Sequence, residues 1–168
     1  PREQLIKRVE IIPIEVVVRN IAAGTFSQRF GIDEGKLLPK TLIEFNLKDD
    51  KNNDPLVSEE HLKVFGWAKS DEIEIMKKKA FQINMLLSDL FKKINIKLVD
   101  FKIEFGRFQT KNISEIILAD EISPDSCRLW DMSSNEKLDK DRFRRNIGGL
   151  IEAYKEVATR LEIDLSNI

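Results

Sequence analysis

The stretch IKLVDFKIEFGRF, residues 96–108, constrains the fold more than any other. Val99, Phe101, Ile103 and Phe105 alternate with Leu98, Asp100, Lys102 and Glu104. Successive side chains of a strand point to opposite faces, so the pattern predicts one apolar face and one face carrying three charges. Two readings are open. The charged face is the solvated side of a half-exposed sheet, or it gathers functional groups.

The following residues bear on that choice. QTKNIS reads as a hairpin loop between FKIEFGRF and EIILAD, and a turn centred near Asn112 sets Glu104 opposite Asp120 on the charged face. Directly paired strand residues have Cβ atoms about 5 Å apart, and like charges there repel. A cation between them removes the repulsion. Two carboxylates with phosphate oxygens and waters make a common Mg²⁺ environment, and Lys102, two residues along the same face, could touch a phosphate. The pairing depends on register, because a slip of one residue sends the side chain to the other face.

The other elements read as follows. VEIIPIEVVVRN predicts a strand near 11–19, with Pro13 implying an edge position or a bulge. IAAGTFSQRFGIDEGKLLP is loop-like with room for a helical turn, TLIEFNLK predicts a strand near 42–48, and DDKNNDP is a polar break. Ser58 is placed to cap a short helix from EEHLKVFG. The segment at 71–94 has Ile73, Met76, Ala80, Phe81, Ile83, Leu87, Leu90 and Ile94 at helical spacing, with Ser70 as cap and Asp71, Glu72 and Glu74 at its positive end. A final helix is expected near 139–161 on Phe143, Ile147, Leu150, Ile151, Tyr154, Val157, Ala158 and Leu161. Gly148 and Gly149 inside it imply close packing or a kink. With strands also near 97–108 and 115–121, the expected class is α+β: a mainly antiparallel sheet flanked by helices.

Composition narrows the function. A net charge of −1 gives no basic field for nucleic acid or an anionic membrane. No apolar run is long enough to span a bilayer, and no secretory leader is visible. The single cysteine, Cys127, excludes an intrachain disulfide and fits a reducing cytoplasm; with no histidine beside it in sequence, it reads as a packing residue. One histidine, His61, excludes sites built on several, and it reads as a helix-surface residue. Trp67 and Trp130 read as core or cleft-wall aromatics. ADEISPDSCRLWD, residues 119–131, concentrates four acids, an arginine and a tryptophan after the strand SEIIL, a loop position of the kind that carries function.

Three stretches, IPIEVVVRNIAAGT (12–25), LVDFKIEFG (98–106) and DEISPDSCRLWD (120–131), resemble the motifs of the SAICAR synthetase family, the phosphoribosylaminoimidazole-succinocarboxamide synthases of purine biosynthesis. The resemblance continues through KLDKDRFRRNIGGLIEAY (137–154). It implies an ATP-dependent ligase that joins L-aspartate to the carboxylate of carboxyaminoimidazole ribonucleotide (CAIR) through an acyl phosphate, giving SAICAR, ADP and phosphate. By resemblance, Glu104 and Asp120 are the Mg²⁺-linked carboxylates, and Lys102 acts with them in catalysis. Lys102 and Lys48 approach the ATP phosphates, with Glu15 near the adenosine. Arg19, Thr25 and Arg128 hold the CAIR phosphate. Asp100 and Asp125 face other polar groups of CAIR, and Lys140 and Arg144 line the same cleft. Thr25 stands where the family usually has serine and keeps the hydroxyl.

The family also carries an N-terminal lobe, a Lys- and Gly-bearing strand–turn–strand that covers the nucleotide. It has no counterpart in these residues, which begin PREQ without an initiator methionine. Residues 1–168 are therefore expected to be a single ATP- and CAIR-binding lobe of a larger protein, with 1–12 as the connection. The resemblance implies a cytoplasmic enzyme with small-molecule substrates only, and it leaves a homodimer open. An alternative is a non-catalytic or differently specific ATP-binding module on the same scaffold.

Overall fold

A computed structural model describes residue 3 and residues 5–164; residues 1, 2 and 4 of the expected connection lie outside the described residues. The strands are β1 (Glu10–Ile21), β2 (Leu37–Leu47), β3 (Leu56–Val57), β4 (Ile96–Gln109), β5 (Ser114–Ala119) and β6 (Cys127–Asp131). The helices are α1 (Gly24–Phe30), α2 (Glu59–Val64), α3 (Ser70–Lys93), α4 (Asp141–Arg144) and α5 (Leu150–Arg160), with a 3-10 turn at Asp50–Asn52. All named pairings are antiparallel, in the order β3-β2-β1-β4-β5, with β6 also on β4. The expected α+β class holds.

Strand β4 organises the sheet. One edge pairs with β1; the other carries β6 along residues 96–101 and β5 along 104–109. β5 and β6 therefore lie end to end, and the loop joining them crosses the gap at Lys102, whose N–H donates to the Ser126 carbonyl at 2.8 Å.

One face of this sheet is the core. Ile12, Ile14, Val16 and Val18 of β1 meet Phe101, Ile103 and Phe105 of β4 beneath Ile73, Met76, Ala80 and Phe91 of α3. Each large apolar side chain buried there stabilises the fold by roughly 1.5–3 kcal/mol. Arg107 clamps the start of α3 by donating to Glu72 at 2.6 and 2.9 Å.

Several expectations need correction. Pro13 sits in a central strand, not at an edge. The alternative, a bulge, holds: the β1–β4 register shifts between Ile11 and Glu15, where a residue without an N–H interrupts no ladder bond. Leu98 and Val99 exchange faces. Leu98 joins the main core, and Val99 packs with Ile21, Ala23 and Trp130, because the β4–β6 register shifts between Leu98 and Asp100.

The α3 cap is Lys69, whose N–H donates to Glu72 at 2.8 Å, and Ser70 is already helical. Phe81 and Leu90 lie on exposed flanks of α3. Ser58 caps α2 as expected, with His61 accepting from the Ser58 N–H in return. The loop-like segment after β1 holds a seven-residue helix, and β2 begins earlier than expected.

The long C-terminal helix is two helices. Gly148 and Gly149 have φ of +79° and +63°, a conformation that ends a helix. The break resets the helical phase, so Phe143, Ile147 and Ile151 are exposed, while Ala153 and Val157 reach the core.

Candidate functional site

The opposite face of the sheet is polar. Register puts Glu15, Val17 and Arg19 of β1 beside Glu104, Lys102 and Asp100 of β4, and Arg128 of β6 beside Asp100. The reading of a solvated outer face fails here, because Asp100 and Glu104 are only 3% and 2% exposed. Charges that far from water must be paired, and the pairs form two sets.

The first set surrounds Glu104. Lys48 Nζ donates to both its carboxylate oxygens at 2.7 Å. Lys102 lies 3.4 Å from the same carboxylate and 2.6 Å from Glu15. The β4–β5 register differs from expectation by one residue: Glu104 opposes Ala119, not Asp120. The two acids are nevertheless brought together. Asp120 leaves the strand with φ +66°, a left-handed turn that returns its side chain to the charged face. Hydrogen bonding with Glu121 holds the Asp120 carboxyl below its ordinary value, with Lys102 and Glu104 adding to the effect, while burial opposes it. Glu121 is correspondingly pushed up, chiefly by Asp120.

The second set is a chain of alternating charge. Arg29 donates to Glu44 at 3.2 Å and Arg19 to Glu44 at 2.6 Å; Arg19 also donates to Asp100 at 2.6 Å. Arg128 donates to Asp100 at 2.9 and 3.0 Å and to Asp141 at 2.9 Å, and Arg144 to Asp141 at 2.8 Å. Burial pushes the Asp100 carboxyl up, and Arg128 and Arg19 pull against it. At Asp141 burial acts the same way, but Arg128 and Arg144 prevail and hold it below the usual carboxylate range.

A cavity of about 350 Å³ joins the two sets, lined by Glu15, Arg19, Lys102, Asp120, Asp125, Arg128, Lys140 and Arg144. Lys140 lies 3.7 Å from Asp125, which also accepts from the Tyr154 hydroxyl. A second cavity of about 820 Å³ lies along α1 and α4 and shares Arg128 and Arg144 with the first. Thr25 opens onto this second space and not the first. Cys127 is buried, and burial pushes its thiol up to about 12, in keeping with a packing role.

Sequence reasoning missed Glu44, Asp141 and Gly24. Glu44 was findable, because it shares a strand face with Leu42 and Asn46 of β2, the face that lies beside Glu15 and Arg19 of β1. Asp141, three residues before Arg144 at a helix start, carried only the acid–arginine spacing as a signal. Gly24 gave none.

Asp139, wholly buried, accepts from the N–H groups of Leu129 and Asp141 at 2.7 Å each, and burial pushes its carboxyl up to about 6. A folded value above the ordinary 3.8 means that the fold binds this proton more tightly than the unfolded chain does. The stability it contributes is present below about pH 4 and lost as pH rises through about 6. Carbon-13 NMR of the Asp139 carboxyl should show a midpoint near 6; a midpoint below 4 would contradict this burial effect.

The SAICAR synthetase family profile matches residues 1–161. A phosphoribosylaminoimidazole-succinocarboxamide synthase of Sphingopyxis alaskensis is 61% identical over 160 residues, 95% of this chain and 62% of that protein. The crystal structure of the Ehrlichia chaffeensis phosphoribosylaminoimidazole-succinocarboxamide synthase superposes with a TM-score of 0.93 at 53% identity, covering 97% of this chain and 69% of that one. A SAICAR synthetase in complex with ADP gives 0.85 at 46% identity, covering 91% and 64%. This chain spans less than two thirds of the length of the curated relatives it matches.

Proposed function

We infer function from the premise that this chain belongs to the SAICAR synthetase family. We propose that the protein containing it is the ATP-dependent ligase of de novo purine biosynthesis that joins L-aspartate to the carboxylate of CAIR. The observation that carries the reading is the division of one polar sheet face into a carboxylate–lysine end at Glu15, Lys102 and Asp120, backed by the buried Glu104, and an arginine end at Arg19 and Arg128, both on one cavity.

A carboxylate is a poor electrophile. Transfer of the ATP γ-phosphoryl group to a CAIR carboxylate oxygen releases ADP and creates a leaving group. The aspartate amine then attacks the acyl carbon, the C–O bond to phosphate breaks, and the amine loses a proton. Such transfer is catalysed mainly by positioning and by cations that neutralise phosphate oxygens. In this reading Lys102 and Lys48 face the ATP phosphates and Glu15 the adenosine. The structural relative with ADP supports a nucleotide here.

Thr25 and Arg128, which share the larger cavity, take the ribonucleotide phosphate, and Arg19, which lines only the smaller one, acts through the Asp100 it shares with Arg128. Asp100 and Asp125 face CAIR, and Lys140 and Arg144 border it. Asp100 acts chiefly by fixing the two arginines, since its oxygens are already engaged by them.

Among the described residues no group of three or more His, Cys, Asp or Glu side chains is placed to hold a metal. Glu104 and Asp120 still fit Mg²⁺, which takes one or two carboxylates and completes its shell with phosphate oxygens and water. When bound it would supply positive charge at the phosphates. The reading also places the protein in the cytoplasm, in keeping with the free thiol of Cys127. No helix among the described residues is long and apolar enough to cross a membrane.

The test uses the complete protein with CAIR carrying ¹⁸O in its carboxylate. ADP should form only with CAIR and L-aspartate both present, and one ¹⁸O should appear in the released phosphate. Nucleotide binding without turnover, or phosphate free of label, would overturn the reading.

A further inference from the structure

Arg128 is fixed on two of its three edges. Nε donates to Asp141, and Nη1 donates to both oxygens of Asp100. A guanidinium has five N–H donors in one plane, and those still available lie on Nη2, for which no acceptor is found among the described residues. That nitrogen faces Gly24. A Cβ at position 24 would stand 2.5 Å from Nη2 and 2.9 Å from Cζ, closer than any real side chain is tolerated. Gly24 also has φ +56°. Beyond it, Gly24, Thr25, Arg128 and Asp141 line the larger cavity together.

Asp141 is only 2% exposed and carries more than one arginine. Arg144 donates to it at 2.8 Å, and Arg145 approaches at 3.7 Å. Behind it, Asp139 ties the Asp141 N–H to that of Leu129, the residue next to Arg128. The corner before α4 is thus fastened to β6 at the arginine it orients.

We propose that Asp141 is a positioning residue and Gly24 a required gap. Together with Asp100 they aim the free Nη2 edge of Arg128 into the larger cavity, at a phosphomonoester. The inference rests on the reading that Arg128 holds the ribonucleotide phosphate, and it adds how the arginine is made ready. Electrostatics alone would argue the reverse for Asp141: its negative charge repels a phosphate, so removing it should tighten binding. Orientation argues that removal loosens binding, because Arg128 must then be ordered when the ligand arrives. The sign of the effect separates the two.

The test measures ribose 5-phosphate binding by calorimetry and steady-state kinetics, using the complete protein and three variants. Asp141→Asn and Gly24→Ala should each weaken ribose 5-phosphate by about tenfold, the scale of one charge-assisted hydrogen bond. The loss should sit in KM for the ribonucleotide rather than in kcat or in KM for ATP, a split that general loss of structure would not produce. Gly24→Ala changes no charge and lies outside the core, so it keeps the idea testable if Asp141→Asn folds poorly. Arg128→Ala is the control for the parent reading. If it binds ribose 5-phosphate like the natural protein, that reading fails and takes this inference with it. If Arg128→Ala loses binding while Asp141→Asn and Gly24→Ala keep it or tighten it, only the positioning role is overturned.

Discussion

Replacing Asp100 with alanine is expected to destabilise the protein by about 3–5 kcal/mol, the cost of leaving a buried charge without its partner. Domains of this size are stable by roughly 5–15 kcal/mol in all. Asp100 accepts from both Arg19 and Arg128. Without it, among the described residues, the buried Arg19 keeps Glu44 as its carboxylate partner and Arg128 keeps Asp141. A guanidinium is not deprotonated in proteins, so the uncompensated charge stays. Asparagine at 100 should cost less, because it retains an acceptor oxygen for one of the two guanidinia. Urea midpoints at neutral pH would measure both. A loss under about 1 kcal/mol for alanine would place the arginines in a more solvated setting than the structure gives them.

Glu104→Gln is expected to lower turnover by about a hundred- to a thousandfold, the range for removing one preorganised electrostatic group from a reacting centre. The fold should survive. Lys48 reaches solvent along nearly half its side chain and can turn outward, and Lys102 retains Glu15. Glutamine keeps the shape but presents an amide N–H₂ toward two ammonium groups, so the pair can no longer be held together at position 104. Asp120→Asn should act in the same direction. Its larger exposure and its bond with Glu121 make the structural cost smaller still. The assay is ATP consumption by the complete protein across a Mg²⁺ titration. Activity equal to the natural protein at limiting Mg²⁺ would remove Glu104 from the site.

The pairing of β4 with β5 was legible because alternation and a polar loop locate a hairpin to within a residue. That last residue was not legible. Asp120 adopts a left-handed conformation, available to a short acid and cheap enough to select only when tertiary contacts favour it. Alternation also shows which side chains share a face and not what covers the face. Asp100 and Glu104 therefore looked the same as solvated charges until β6 and the 120–126 loop were in place.

In the sequence, β6 reads as part of a loop, although Cys127 and Leu129 alternate with Arg128. Five residues carry too little periodic signal against a stretch of acids. The C-terminal helix failed differently: an apolar pattern can run on through a glycine pair while the helix does not. The roles of Lys48, Arg19 and Thr25 came from the family resemblance and not from spacing.

The meeting of β1 with β4 has a cost during synthesis. Arg19 and Asp100 are 81 positions apart, and Glu15 and Lys102 are 87 apart. Contacts that distant form only after a long loop has closed. As the chain leaves the ribosome, β1 can pair with β2 at once. Its other edge must then wait, unpaired, through the synthesis of β3, α2 and α3. That edge belongs to the apolar run EIIPIEVVVRNI, the kind of surface on which nascent chains stick to one another. Pro13, which lacks an amide donor, and the charged Glu15 and Arg19 interrupt that run, so two side chains that line the cavity of the finished sheet also act, with the proline, as gatekeepers against aggregation while the chain is incomplete.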